Sequence, residues 1–361
     1  MRVADLFSGL GGFSAGALAA GAQIVLGVDH DSVPLKLWSA NVSGARAVLT
    51  TLGTEQELTE LPPPSPSLHV HASSPCTDLS IARGRSASAE DVDEGVRLLR
   101  WSLDLVLTRG DRSWSIENVS TPTTRRLLTE YAAAHPDRVA FATLDAADFG
   151  AAQSRIRLIA GPPALIKLLQ EMPSSRRVSV REAFAERGLQ VPAPCFKNQT
   201  RGRDGLPCRR SVEGQAFTVC ASHALTWAGR DGCTVKVMTA RDSAVLMGFG
   251  ATWRLPKGSR AAQCAVGNAL CVSMAKAIVQ AAISLETGAP LPPLISPEPP
   301  PPSTVAAATA GVEEPPDDYG QLSKRLCTIE GLVRKLHSTL PETQNSLTTS
   351  HDATRPLVPC Q

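Results

Sequence analysis

The first thirty residues restrict the fold more than any other stretch. Arg2-Val3-Ala4-Asp5-Leu6-Phe7 is a short apolar run that predicts a buried strand beginning almost at the first residue. Ser8-Gly9-Leu10-Gly11-Gly12-Phe13 follows as a glycine-rich turn, and the Ala-rich segment from Ser14 to Ala20 reads as a helix. Gln23-Ile24-Val25-Leu26-Gly27-Val28 is a second strand, ending at Asp29-His30-Asp31. This is a β-α-β unit with a glycine-rich first turn and an acidic residue at the tip of its second strand.

Two ligand classes fit that unit. A dinucleotide fold uses such glycines to let a pyrophosphate approach a helix N-terminus. A methyltransferase fold uses the same turn for the amino-acid end of S-adenosylmethionine and the second-strand carboxylate for the ribose. The spacing G-x-G-G departs from G-x-G-x-x-G and argues against the dinucleotide; a purely structural turn is the bland alternative. At 361 residues the chain has room for two domains, or for one large α/β domain with additions. Hydrophobic content of 43% and charged content of 19% fit a soluble globular protein. Nine cysteines without a C-x-x-C pair suggest neither a disulfide framework nor a zinc knuckle, so a reduced, intracellular setting is expected, with nucleus or cytoplasm left open. The apolar run from Ala15 to Val28 is too short and too glycine-rich for a membrane span, and no membrane partner is expected.

Further along, residues 34–41 read as a helix and Val48-Leu49 as a third strand. Leu68-His69-Val70-His71-Ala72 is an apolar strand leading into Ser73-Ser74-Pro75-Cys76-Thr77-Asp78-Leu79-Ser80. A strand ending in a tight Pro-Cys turn holds a thiol at the mouth of a sheet, where open α/β folds bind ligands; a buried loop cysteine is the bland alternative. His69 and His71 share a face, but no third ligand is visible nearby and no metal is expected. A flexible loop at 83–88 precedes a helix over 91–108 with Val96, Leu99, Leu103 and Val106 on its apolar side. Residues 113–119 form the next strand and deliver Glu117 and Asn118 to its end; a helix over 124–134 and a strand over 139–144 follow. Residues 151–160 read as one strand, with Gln153, Arg155 and Arg157 on one face and Ile156 and Leu158 on the other.

Charge is unevenly placed. Residues 151–215 hold 12 Lys and Arg against 5 Asp and Glu, although the whole chain is only +2. Such a segment suits contact with nucleic-acid phosphates, or is an ordinary charged loop region. From about Gly288 the globular pattern stops. A Pro-rich linker is expected over 288–320, then a heptad helix over 321–341 carrying Leu322, Leu326, Ile329, Val333, Leu336 and Leu340, then a tail over 342–361. That helix could pair with another copy or with a partner.

Taken in order, these stretches resemble the cytosine-C5 DNA methyltransferase family over about residues 1–285. Asp5-Leu6-Phe7-Ser8-Gly9-Leu10-Gly11-Gly12 looks like its first motif, and Asp29, with His30 beside it, sits where its ribose-binding acid would. Pro75-Cys76 is similar to its nucleophile motif, Glu117-Asn118-Val119 to its Glu-Asn-Val motif, and Gln153-x-Arg155-x-Arg157 to its Gln-x-Arg-x-Arg motif. Arg241 through Gly248-Phe249 and Gly267-Asn268-Ala269-Leu270 resemble its last two motifs.

The resemblance implies an α/β, Rossmann-like doubly wound sheet that binds S-adenosylmethionine. It divides the chain into a catalytic core over 1–160, a short basic target-recognition region over 161–215, and the end of that region with the return to the core over 216–287. It implies that Cys76 adds to C6 of a cytosine flipped out of double-stranded DNA, that Glu117 holds N3, and that Arg157 reaches O2 while Arg155 helps position the catalytic loop. Phe7 would stack on the adenine, Ser8, Gly9, Gly11 and Gly12 would contact the methionine end, and Asn268 and Ala269 would complete the pocket. Thr77 replaces the family's usual Gln, Cys271 replaces a Pro, and the acid expected near Thr51 is missing. The alternatives are the same chemistry on transfer RNA, or a non-catalytic homologue that binds DNA or a partner enzyme.

Overall fold

The computed structural model describes residues 1–54, 58–75, 89–172, 176–201 and 207–291. Cys76, the 83–88 loop, the heptad positions and nearly all of the linker and tail lie outside the described residues.

The expected first unit is present. Strand β1 (Arg2–Leu6) leads through the glycine turn into α1 (Gly12–Ala19), and β2 (Gln23–Asp29) returns parallel to β1. Helix α2 (Ser32–Asn41) starts at Asp31, whose carboxylate accepts the Val33 N–H as an N-cap, and β3 (Arg46–Leu49) lies beside β2. Strand β4 (Leu68–Ala72) pairs with the other side of β1, and α3 (Ala89–Arg109) precedes β5 (Ser113–Asn118). Helix α4 (Pro122–Ala134) begins with a Thr121–Thr124 capping box and is followed by β6 (Ala140–Asp145) and β7 (Ile156–Gly161).

These strands form one seven-stranded sheet in the order β3-β2-β1-β4-β5-β7-β6. Only β7 runs against its neighbours β5 and β6; the other pairings are parallel. Strand order reverses between β1 and β4, which opens a crevice at the carboxyl ends of those strands. Both faces are covered, so β4 is buried at every position. Leu99, Leu103 and Val106 of α3 pack with Ala4, Leu6, Val70 and Ile116 on one face. On the other, Phe13, Trp38, Leu165, Ile278 and Val3 lie in the core shared by α1, α2, α5 (Pro163–Glu171) and α9 (Val272–Thr287).

The second sheet is small and antiparallel, in the order β11-β10-β8-β9. Its strands are β8 (Cys195–Arg201), β9 (Pro207–Ser211), β10 (Thr226–Ala228) and β11 (Thr234–Val237). Strands β8 and β9 lie within residues 161–215, and β10 and β11 within residues 216–287. Before them, residues 163–171 form α5, whose apolar side packs into the core of the large sheet, and α6 (Val180–Ala185) follows. The small sheet is anchored by Trp227, with Phe184 edge-on at 5.4 Å and Phe196 at 6.4 Å. From β11 the chain enters α7 (Ala240–Met247), then α8 (Ser259–Asn268), and ends the described fold with α9.

The chain's last core helix returns to its first. A Cβ on Gly16 of α1 would lie 2.5 Å from Val272 O and 2.6 Å from Lys276 N, both backbone atoms of α9. Ala is the better helix former by ~1 kcal/mol, but forced overpacking costs about 1–3 kcal/mol, and backbone cannot step aside as a side chain can. Gly16→Ala is therefore expected to lower the urea midpoint at unchanged slope; a variant as stable as wild type would show that the α1–α9 contact is not tight.

Candidate active site

The glycine turn sits at the crevice. Phe7 adopts φ 57°, the described non-glycine residue with positive φ, and its ring meets Trp101 edge-on at 6.0 Å. Ser8 N–H donates to Val28 O and Gly9 N–H to Asp29 Oδ2 at 2.7 Å, so the tip of β2 holds the turn. Asp29 Oδ1 also accepts from Asp31 N–H, and exposed His30 places Nδ1 3.4 Å from the same oxygen. Gly12 lies so close to Leu270 O and Ala269 that a Cβ there would collide with them. The fold thus brings Ala269 from the far end of the chain onto the first turn, while the Asn268 side chain is exposed beside Cys264.

Beneath the turn, Asp5 is buried and accepts from Ser14 N–H at 3.2 Å and Ser14 Oγ–H at 2.5 Å. Trp38 Nε1–H donates to that Ser14 Oγ at 2.9 Å. Burial pushes the Asp5 carboxyl up to about 7, against the lowering effect of Ser14 and with some repulsion from Asp29.

Next to Asp5, the two histidines and three serines form a continuous polar row. His69 Nδ1 and Nε2 lie 2.8 Å from Ser113 Oγ and Ser115 Oγ; His71 Nδ1 and Nε2 lie 2.7 Å from the same Ser115 Oγ and 2.8 Å from Ser73 Oγ. Ser115 has one proton to give, so it donates to one imidazole and accepts from the other, which couples the two tautomers. Phe13 stacks on His71 at 3.5 Å. Every ring nitrogen already faces a serine, so the shared strand face is a structural ladder. Burial pushes His69 down to about 3 and His71 down as well, with His69 adding repulsion.

At the carboxyl end of β5, Glu117 and Arg157 meet. Arg157 Nε is 2.9 Å from Glu117 Oε1, with both side chains nearly buried, at 11% and 7% exposure. The Nε–H is not aligned on that oxygen, so the contact is an ion pair and not a directed hydrogen bond. Arg157 Nη1 donates to Ile156 O. Asn118 Nδ2 donates to Ser74 O and Ser74 Oγ, tying the run-in to Cys76 onto β5.

The expectation of one strand over 151–160 is corrected. Asp145, at the end of β6, accepts from Ala147 N–H, Ser154 Oγ–H and Arg155 N–H, which folds the segment into turns until β7 begins at Ile156. Gln153, Arg155 and Arg157 therefore do not share a strand face. Gln153 is buried, donating to Leu246 O and accepting from Val219 N–H. Buried Arg155 donates to Val219 O, Gly267 O and Ala269 O at 2.9–3.0 Å. Ile156 is exposed and Leu158 is buried, so these two do not share an environment either.

Two tryptophans at the turn escaped the sequence reading. Trp38 and Trp253 would each touch a Cβ on Gly11, at 2.7 Å and 3.1 Å. Nothing in their sequence neighbourhood points to that position.

A doubly wound sheet with one reversed strand, a glycine turn at the switch point and a Glu-Arg pair at the neighbouring strand ends defines a methyltransferase of the Rossmann-like class. The family model described as C-5 cytosine-specific DNA methylase matches residues 1–161, so over that range the chain is similar to C-5 cytosine methylases. The structure is similar to that of a protein described as a DNA modification methyltransferase encoded within an E. coli prophage. The TM-score is 0.57 and the identity 16%, over 80% of this chain and 100% of that one. It is also similar to the methyltransferase EhMeth of Entamoeba histolytica, with a TM-score of 0.51 and 12% identity over 79% of this chain and 98% of that one. At these identities the likeness is one of fold. No curated protein matches the chain.

The buried groups carry opposite pH signatures. Asp5 holds its proton in the folded state to about pH 7 but releases it near 3.8 when unfolded, so its contribution to stability is lost as pH rises through that window. Asp5→Asn should be more stable than wild type above pH 7, with the gap closing below pH 4. His69 stays neutral to about pH 3 but is protonated near 6.5 when unfolded, so stability falls as pH drops, by up to ~1.4 kcal/mol per pH unit. His69→Gln should flatten that slope in urea titrations; parallel curves for variant and wild type would refute the burial assignment.

Proposed function

We propose that the chain transfers a methyl group from S-adenosylmethionine to C5 of a cytosine flipped out of DNA, by way of a covalent adduct between Cys76 and C6. The observation that carries this reading is the nearly buried Glu117–Arg157 pair, fixed beside the Asn118–Ser74 tether that leads to Cys76. The glycine turn suits the cofactor: Ser8 Oγ is buried without a hydrogen-bond partner among the described residues, and the space above Gly9 is open. Ser8, Gly9, Gly11 and Gly12 would hold its methionine end, Asp29 and His30 its ribose, Phe7 its adenine, and Ala269 with Asn268 would close the pocket. When bound, that cofactor supplies an electrophilic methyl on a sulfonium.

Cytosine C5 is too weak a nucleophile to take a methyl group unaided. The Cys76 thiolate adds to C6 and turns the ring into an enamine rich at C5. Glu117 gives a proton to N3 as the thiolate adds and so draws the ring electrons there, and Arg157, 2.9 Å from its Oε1, stabilises the carboxylate that this leaves. In this reading Arg157, beside Glu117, meets O2 of the same base. The C5 proton then passes to water, Cys76 leaves as the thiolate, and N3 returns its proton to Glu117, which restores the ring. A base stacked in a duplex cannot reach these groups, so the target leaves the stack. The basic residues around the small sheet, including Arg209, Arg210, Arg230 and Lys236, supply phosphate contacts in this reading, and the protein acts inside the cell where DNA is accessible.

The test is transfer of labelled methyl to DNA and to transfer RNA. Wild type is expected to form 5-methylcytosine in DNA, Cys76→Ser to lose it, and Glu117→Gln to fall by on the order of 10²–10³-fold. Label on RNA alone would replace the DNA assignment, and equal activity in Cys76→Ser would remove the covalent step.

A further inference from the structure

The glycine turn is held from two sides by tryptophans that belong to different parts of the chain. Trp38 fills the space below Gly11 and donates to Ser14 Oγ. Trp253, which follows α7, lies against Gly11 from another direction, and its Nε1–H donates to Leu10 O at 3.1 Å. Gly11 has φ +89°, so neither a side chain at this position nor a relaxed backbone could replace these contacts.

Trp253 is itself anchored on both sides. Its carbonyl accepts from Arg241 Nη1 at 2.8 Å, and Arg241 lies in the first turn of α7, a few residues after β11 of the small sheet. The next residue, Arg254, is bracketed by the Asn41 side chain at the end of α2: Nδ2 donates to Arg254 O at 3.1 Å, and Oδ1 accepts from Arg254 N–H at 2.8 Å. A chain of directed bonds thus runs from the foot of the small sheet through Arg241 and Trp253 to Leu10.

We infer that Trp253 is a positioning residue for the cofactor turn, holding Leu10 and Gly11 in the binding geometry and tying them, through Arg241, to the small sheet. The inference rests on the cofactor reading above. The same Leu10–Gly11 peptide donates its Gly11 N–H to Ser8 O at 2.8 Å, so a displacement of the Leu10 carbonyl is passed on to Ser8. The indole bond holds the carbonyl side of this peptide before the ligand arrives, which is preorganisation and acts on affinity more than on the chemical step.

The experiment is calorimetric titration of S-adenosylmethionine into the full-length protein, with melting temperatures measured alongside. Trp253→Phe keeps a ring against Gly11 and removes only the N–H; about fivefold weaker binding is expected, with the melting temperature within ~2 °C of wild type. Asn41→Ala, which releases the bracket, should move affinity in the same direction. In steady state both should raise the cofactor KM and leave kcat unchanged. Unchanged affinity in Trp253→Phe, or a loss matched by a large fall in melting temperature, would overturn the inference. A wild type that binds no S-adenosylmethionine would instead remove the cofactor reading, and the inference with it.

Discussion

One buried guanidinium joins the parts of the chain on which the site depends. Arg155 reaches Val219 O in the connection between β9 and β10 and Gly267 O and Ala269 O at the end of α8. A buried charge is costly unless its hydrogen bonds are met, and here it binds carbonyls that no helix or strand uses. The consequence is positional. Fixing residues 267–269 sets Ala269 and Leu270 against Gly12, and α9 can then lie on Gly16 of α1. Replacing Arg155 would leave three orphan carbonyls and loosen the closure between the first and last elements.

The sheet supplies the second constraint. Because strand order reverses at β1 and β4, the loops after these two strands diverge and leave a crevice. The loop after β1 is the glycine turn, the loop after β4 runs towards Cys76, and the end of β5 presents Glu117. Below that edge, the faces of β1, β4 and β5 carry Asp5, His69, His71, Ser113 and Ser115 where apolar residues would ordinarily stand. The row survives burial because each member has a hydrogen-bonding partner, at the expense of sensitivity to pH from both sides.

Much of this was legible in the sequence. The β-α-β opening, the carboxyl-end location of Glu117 and Asn118, and the apolar side of α3 follow from local periodicity, which is set by the backbone's own repeat. The Gln153-x-Arg155-x-Arg157 stretch was not legible as structure. Its alternation imitates a strand, but the Asp145 carboxylate captures the backbone N–H of Arg155 and interrupts the ladder before it starts. The basic composition around α5 likewise hides its apolar side, which belongs to the large core.

The sequence by itself determined the order of strands and helices from β1 to β7, the glycine turn, and the residue types available for chemistry, since these depend on neighbours a few positions apart. Tertiary structure decided which of them meet. The Glu117–Arg157 pair, Ala269 on Gly12, the serine–histidine row, and Trp38 and Trp253 on either side of Gly11 all join residues at least about forty positions apart or on different elements. Such contacts leave no periodic trace, because they are fixed by how the sheet twists and closes, not by the local path of the chain.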